Sequence, residues 1–507
     1  MGSVADKPRL RLGLIVPGGP WPRWLQELLP ALGTRVVAVR SVPAPARARG
    51  LFGLYRALDD HVFGRADDAF ALQAPLPGEL LLDSPLPLDL DAILWLADGP
   101  VPSDLPARLG VWTWNFVAGE LPVETAFARQ LTCVTANLQV RTVGAETRRP
   151  LGVCGLDLTS LRRTRVALAW RLAALVLRCV QAFELGGWPA LDAMAPGEPL
   201  PPPGPVPSPA AELTRLGLGL ARRIGGNQLR HRTTRVQWQL GIRPRDPARP
   251  VWQDASGFRP LVPPRDRLWA DPFRLRRDGV SHLFFEELPF ATDKGVIAWA
   301  PLAADGRMGP REVVLEEPVH LSYPFVFEHD GQVWLVPESC ATDSIVLYRA
   351  DPFPTRWRRE AVLMQGLRAV DSTLLQHAGR WWLFCNVSHP HGSTWDELNL
   401  YHAATLLGPW QAHPANPIVS DIRSARPAGR IFRFGGAWIR PAQDCAAGYG
   451  AAVAFRAIET LTPDHYRERP IGRLEPTWQP GLSGTHTYAV DEAFEVIDGL
   501  RRPFRWP

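Results

Sequence analysis

The chain has 507 residues, 46% of them hydrophobic and 21% charged, with a formal net charge of +5. That length exceeds one ordinary hydrophobic core, so two or more domains are expected, and the composition excludes a disordered or fibrous chain. The basic excess is carried by Arg rather than by runs of Lys, and no long block of like charge occurs; this argues against nucleic acid as a partner and suits an anionic ligand or an acidic membrane surface.

The opening MGSVADKPRLRLGLIVP lacks the apolar core of a signal peptide, and no apolar run is read as reaching the length of a membrane span. Six Cys are scattered without CxxC or framework spacing, as expected of reduced thiols rather than disulfides or a zinc site. A cytoplasmic protein is expected, with peripheral contact at the inner face of a membrane as a further option.

In chain order, Leu10–Pro17 reads as a strand, Trp24–Leu32 as a helix and Arg35–Arg40 as a second strand, which is a βαβ opening onto a parallel sheet. Gly18-Gly19 lacks the spacing of a dinucleotide loop and serves equally well as a simple strand-to-helix turn. Asp89–Leu96 and Gly110–Asn115 are further strands, and Leu151–Gly155 with an amphipathic helix over Val166–Phe183 completes the unit. Across residues 9–185 this order resembles the N-terminal domain of folate-dependent formyltransferases. The resemblance implies an Asn, a His and an Asp at the active site. Asn115 is followed by Phe116-Val117-Ala118 with no His, and His61 is the only His before residue 230, so a formyltransferase-like scaffold without that chemistry is expected.

Residues 194–209 are Pro-rich and extended, and 210–223 read as a helix with a Leu side. The basic stretch 230–235 serves either as a solvated linker face or as a phosphate contact. The predicted domains are 1–193, a linker with helix at 194–235, and 236–507.

The last domain is organised by a repeat. LWADPFRLRRDGVSHLFFEE (268–287) is strand, Asp-Gly turn, strand; LSYPFVFEHDGQVWLVPES (321–339) and AVDSTLLQHAGRWWLFCN (369–386) repeat it, with weaker copies around Gly435 and His486. Copies starting near 271, 323, 371, 435 and 486 give a period of about fifty residues, the mark of a repeat array. Five strand-rich units predict a five-bladed β-propeller, with a β-sandwich as the alternative. The 20 Trp fit blade filling and sugar stacking alike.

In a propeller the inner strands converge on one mouth, which brings Asp271, Asp371 and Glu338 together as candidate catalytic carboxylates. Paired carboxylates suit glycosyl chemistry, where one is ionised and another is held protonated. Asp271 before Pro272 is also an ordinary turn device. Glu286 and Glu287 are adjacent, so at most one faces inward. His320, Tyr323, His389, Gln443, Asp444 and His486 are further substrate-binding candidates. Arg433 is a further substrate-binding candidate, and Arg426 and Arg430 are candidates to clamp a diphosphate, with an exposed surface role as the alternative. His389 and His391 form an HxH pair without a matching ligand set, so no metal is expected.

The segments ADPF, LFFEE, HLSYPFVFEHDGQVWLVPES, VDSTLLQHAGRWWLF, GPWQAHPANPIVSD, ARPAGR and RPAQDCAAGYG together resemble the N-terminal domain of glucosamine inositolphosphorylceramide transferases over residues 250–500. The region is also similar to five-bladed propellers of glycoside hydrolases and mannoside phosphorylase-like transferases. These resemblances imply funnel carboxylates and a glycosyltransferase of bacterial surface polysaccharide or glycolipid synthesis. Its substrates would be an activated sugar donor and a glycan or lipid-linked acceptor. The alternatives are a glycoside hydrolase or phosphorylase, a formyltransferase-related protein, and a non-catalytic glycan-binding scaffold. The plant transferases carry a separate catalytic domain after this region that is absent before Pro507.

Overall fold

A computed structural model describes residues 9–43, 51–65, 68–73, 86–102, 105, 107–194, 198–203, 217, 219, 226, 232–388 and 391–504. The chain divides into two compact units, Met1–Gly225 and Gly226–Pro507. The expected linker and the helix at 210–223 lie largely outside the described residues.

The first unit is built on a mixed sheet. Val36–Val42, Leu12–Pro17, Ala92–Trp95 and Val111–Ala118 run parallel in that spatial order, and Cys133–Thr142 with Ala145–Gly155 adds an antiparallel hairpin at one edge. The parallel strands are almost wholly apolar, as strands covered on both faces must be. The helix Arg23–Leu32 buries Trp24, Leu25, Leu28, Leu29 and Leu32 along one stripe. The hairpin and a helix at Leu51–Phe63 were not foreseen.

The expected amphipathic helix is longer than predicted, Leu161–Asp192, with Ser160 capping its start and a break at Gly187 (φ 64°). By length and composition it is apolar enough to cross a membrane, contrary to the expectation from the sequence, but a core helix passes the same test. Here Leu168, Leu175, Val176, Cys179 and Val180 are buried in the unit's core.

The second unit is a five-bladed β-propeller of four-stranded antiparallel sheets. Blade one is Arg267–Arg277, Val280–Pro289, Val296–Leu302 and Glu312–Leu315; blade two is Ser322–His329, Gln332–Glu338, Ser344–Ala350 and Trp357–Gln365. Blade three is Ala369–His377, Arg380–Val387, Leu398–Ala403 and Gln411–Ala412; blade four is Phe432–Phe434, Ala437–Asp444, Ala452–Leu461 and Tyr466–Leu474. Each of the first three opens with a tight hairpin whose two central residues have positive φ: Asp278-Gly279, Asp330-Gly331 and Ala378-Gly379. Such turns match the right-handed twist of the flanking strands.

Blade five differs from the simple repeat. Its copy supplies only Tyr488–Val490 and Phe494–Arg501; Gln237–Pro244 and Arg259–Leu261, from the start of the unit, complete the sheet. This closure joins Gln237 to Arg501 through to Pro244 to Phe494 in one unbroken antiparallel register, so the start and the end of the unit share one blade. A buried ion pair of Arg243 with Glu495 braces it, and Tyr488 Oη donates to Glu495 at 2.6 Å.

Candidate active site

The inner strands of blades one to three share one irregularity. Ala270 pairs with Glu286 and Phe273 with Phe284, so Asp271-Pro272 face a single residue across the ladder. Tyr323-Pro324 and Asp371-Ser372 do the same in blades two and three. These are β-bulges, and the first residue of each is left-handed: Asp271 (φ 50°), Tyr323 (φ 45°) and Asp371 (φ 54°). A non-glycine residue held there costs on the order of 1–3 kcal/mol, and such strain concentrates where a side chain must be aimed. Pro272 and Pro324 suit the second bulge position because they have no N–H to leave unpaired. The Asp-Pro step read from the sequence as a turn device is therefore the bulge itself.

The residue opposite the one before each bulge is Glu286 in blade one, Glu338 in blade two and Asn386 in blade three. Blade four adds Arg426 and Gln443, and blade five adds His486, Thr487 and Asp498. All these groups are buried or nearly so.

Asp271 accepts from Thr487 Oγ1 at 2.7 Å and from the Tyr323 amide at 3.2 Å. His486 bridges two carboxylates, with Nε2 at 3.5 Å from Asp271 Oδ1 and Nδ1 at 2.5 Å from Asp498 Oδ2. Asp498 Oδ1 accepts the His486 and Thr487 amides at 2.8 and 3.1 Å, which fixes it against the blade-five loop. Burial opposes the imidazolium, but Asp498 and Asp271 outweigh it and push His486 up to about 9. The ring also stacks on Trp238 at 4.1 Å, tying the closing strand to the site.

Asp371 is held by Arg426 through two contacts, Nε at 2.6 Å and Nη2 at 3.3 Å, and by Gln443 Nε2 at 2.9 Å. Burial pushes its carboxyl up to about 7, Arg426 pulls it back, and Glu338 and Asp271 add to the rise. Arg426 reaches Glu338 at 3.8 Å and lies over the Tyr449 ring. Glu338 accepts from Ser322 Oγ at 3.0 Å. Glu286 is raised by burial, against the stabilising contact of His320 Nε2 at 3.3 Å. The Gly295 amide donates to His320 Nδ1 at 3.0 Å, which favours the Nε2–H tautomer facing Glu286.

Asp271, Asp371, Glu338, Glu286, His320, Tyr323, Arg426, Gln443 and His486 thus gather at the mouth. The remaining predictions are corrected. Glu287 faces the other side of its strand, bound by Arg267 Nη1 at 2.8 Å, Trp269 Nε1 at 2.9 Å and Arg311 Nε at 3.0 Å. Arg430 donates to the Val326 carbonyl and packs on Phe325, and burial lowers it to about 10. Arg433 is exposed over Trp438 at a hairpin turn. Asp444 closes a turn on the Ala446 amide and meets Arg473 at 3.4 Å. With Arg426 bound to Asp371 and Arg430 to the Val326 carbonyl, the two do not form the expected diphosphate clamp. His389 lies outside the described residues.

Sequence reasoning missed Asp498, Thr487, Asn386, Tyr449 and Trp238. The register of the repeat offered a signal for Asn386, which ends the same hairpin as Glu286 and Glu338; the others are brought in by blades four and five, where the repeat is weak.

Asp271, His486 and Asp498 lie close enough to hold a metal ion. The same short distances suit a relay in which His486 orients Asp271 and Asp498 orients His486. Beside the cluster a cleft of about 370 Å³ is lined by Arg368, Ser388, Gly392, Ser393, Thr394 and Trp395. It adjoins the carboxylates through Thr394 Oγ1, 3.4 Å from Arg426 Nη1, and through the Trp395 ring, 5.9 Å from that of Tyr449.

Residues 256–475 match the family model described as glucosamine inositolphosphorylceramide transferase 1, N-terminal. A rice (Oryza sativa subsp. japonica) protein named glucosamine inositolphosphorylceramide transferase 1 is 38% identical over 206 residues, which is 40% of this chain and 28% of that protein. A protein of the same name from Arabidopsis thaliana is 34% identical over 236 residues, covering 43% and 31% respectively. The chain therefore spans less than a third of these relatives. Among solved structures, a family 117 glycoside hydrolase of Zobellia galactanivorans overlaps 52% of this chain and 90% of its own, with a TM-score of 0.34 and 11% identity.

Proposed function

We propose that the chain is a glycosyltransferase that moves a sugar from an activated donor, a sugar nucleotide, to a hydroxyl of a glycan or lipid-linked acceptor. The observation that carries this reading is the set of left-handed bulges that turns Asp271, Tyr323 and Asp371 into one mouth with Glu286 and Glu338. The names of the plant relatives point the same way. The relatives lend no support to a bacterial setting.

In this reading Asp271 takes the proton of the acceptor hydroxyl. The acceptor oxygen bonds to the anomeric carbon while the bond from that carbon to the phosphate oxygen breaks, and the nucleotide leaves with the electron pair. The charged His486 at 3.5 Å orients Asp271, and Asp498 orients His486. Asp371, paired with Arg426, faces the positive charge that develops on the sugar ring. The first unit is taken as a formyltransferase-like scaffold; Asn115 there is bonded by Asn137 Nδ2 at 3.2 Å, and His61 sits on the exposed side of a helix.

A second reading, a glycoside hydrolase or phosphorylase, is favoured by Glu286. Burial keeps this carboxyl raised, as a general acid requires. It replaces Glu338 as the acid, because Glu338 is engaged by Ser322 and Arg426.

The experiment is to incubate the full chain with a panel of sugar nucleotides and glycan or glycolipid acceptors, and to follow product by mass spectrometry. Transfer that Asp271→Asn abolishes while the melting temperature holds supports the proposal. Cleavage of oligosaccharide without any donor, lost in Glu286→Gln, would replace it with the hydrolase.

A further inference from the structure

The cleft beside the carboxylates is walled by aromatic rings that the propeller does not use for packing. Trp395 lines it and faces Tyr449, the ring centroids 5.9 Å apart and the planes tilted by 38°. Trp381 and Trp382 of the same blade are buried in apolar cores, but Trp395 is half-buried and Tyr449 is 39% exposed, and neither belongs to a core. Tyr449 also lies over Arg426 at 5.0 Å and edge-on to His486 at 5.3 Å, so one ring borders both the carboxylate mouth and the cleft. The Trp395 amide donates to Ser393 Oγ at 2.9 Å, which fixes the loop that presents the indole.

The polar rim offers donors. Ser393 Oγ accepts from the Trp395 amide and Thr394 Oγ1 accepts from Arg426 Nη1 at 3.4 Å, so the hydroxyl hydrogen of each can be donated elsewhere. Arg368 is exposed, and no carboxylate forms an ion pair with it among the described residues; a hydrogen bond to Cys340 raises its guanidinium, ahead of the charge of Asp343. A guanidinium carries several N–H donors, so that one bond leaves most of them for a ligand. Charge argues against a diphosphate here. Among the described residues lining the cleft Arg368 is the one cation, while Asp371 and Glu338 lie against Arg426 next to Thr394, and Arg426 is bound to Asp371. A neutral sugar ring meets both features, because its C–H face covers an indole while its hydroxyl oxygens accept from the rim. A cleft of about 370 Å³ is of the size that small-ligand sites have.

We propose that the cleft is a second sugar subsite, in which a neutral ring of the acceptor glycan lies against Trp395 while Arg368, Ser393 and Thr394 donate to its hydroxyl oxygens. This rests on the reading of the mouth as a place where sugars react, and it adds that the acceptor spans at least two rings, one among the carboxylates and one in the cleft.

The test is binding of the full chain, without any donor, to a printed array of neutral glycans, followed by titration of the best-bound oligosaccharide and of its component monosaccharides. The oligosaccharide is expected to bind more tightly than any of its single sugars and roughly tenfold more weakly to Trp395→Ala, while Trp395→Phe, which keeps an aromatic face, holds most of the affinity. Arg368→Ala, at an exposed position, is expected to weaken binding as well, and melting curves check that each variant folds. The proposal is overturned if no neutral glycan binds, or if Trp395→Ala and Arg368→Ala bind as the natural protein does. Binding of uridine or guanosine diphosphate that both variants weaken would also overturn it, by assigning the cleft to the donor. Glycan binding without transfer from any donor would remove the transferase reading and leave the subsite standing; transfer that Trp395→Ala leaves unchanged does the reverse.

Discussion

Replacing His486 with Gln removes the charge that bridges Asp271 and Asp498 while keeping a side chain of similar reach. Burial opposes that charge, and the two carboxylates raise the imidazole from its ordinary 6.5 to about 9 in the folded protein. A rise of this size is worth about 3 kcal/mol of folding stability. Because the folded value is the higher one, the contribution is fully present below about pH 6.5, declines between 6.5 and 9, and is gone above 9. His486 is 2% exposed, so solvent screening takes little from the figure. The assay is urea unfolding of natural protein and His486→Gln at pH 6 and pH 10, following the transition of the second unit by Trp fluorescence. Comparing the two proteins at each pH cancels the titrating groups that His486 does not influence. The stability gap between them is expected to be about 3 kcal/mol larger at pH 6 than at pH 10. An equal gap at both values would mean that folding does not raise the imidazole above its ordinary 6.5, and the relay reading would fall.

Arg426→Met leaves Asp371 buried without its bidentate partner and is expected to cost about 3–5 kcal/mol. The loss should be larger at pH 9 than at pH 6, since Asp371, already raised to about 7, escapes its charge at the lower pH by taking a proton; paired urea titrations measure this. Tyr323→Phe strands the Gly429 amide, which donates to Tyr323 Oη at 2.7 Å, and is expected to cost about 1–3 kcal/mol in the same assay. Gly429→Ala is worse, because its φ is 128° and a Cβ would stand 2.1 Å from the Tyr488 carbonyl oxygen. Soluble Gly429→Ala with a natural melting temperature would show that the blade-four entry is misplaced.

The hairpins that open blades one to three were legible in the chain. The alternation of apolar residues and the glycine-bearing turns are local, so the same nearest-neighbour physics writes the signal three times, although the third turn, read at Gly379-Arg380, is centred on Ala378-Gly379. Asp271, Glu338 and Asp371 were legible with them, because each holds a fixed place in its hairpin. Which neighbour each would meet was not. Arg426 looked suited to phosphate, yet 55 residues separate it from the carboxylate that consumes its charge. Asp498, 227 residues from the Asp271 amide that it accepts, follows an unremarkable apolar run and carries no local mark of its role.

Sequence by itself thus determined the repeat, the strands and the candidate carboxylates, all of which follow from contacts within about twenty residues. Only the tertiary structure decided that Gln237–Pro244 closes blade five, that Glu287 turns outward to Arg267 and Arg311, and that His486 lies between Asp271 and Asp498. The reason is that ring closure and the burial of charge depend on which distant groups arrive together, and the free energy of a buried ion is set by those partners rather than by its own residue type.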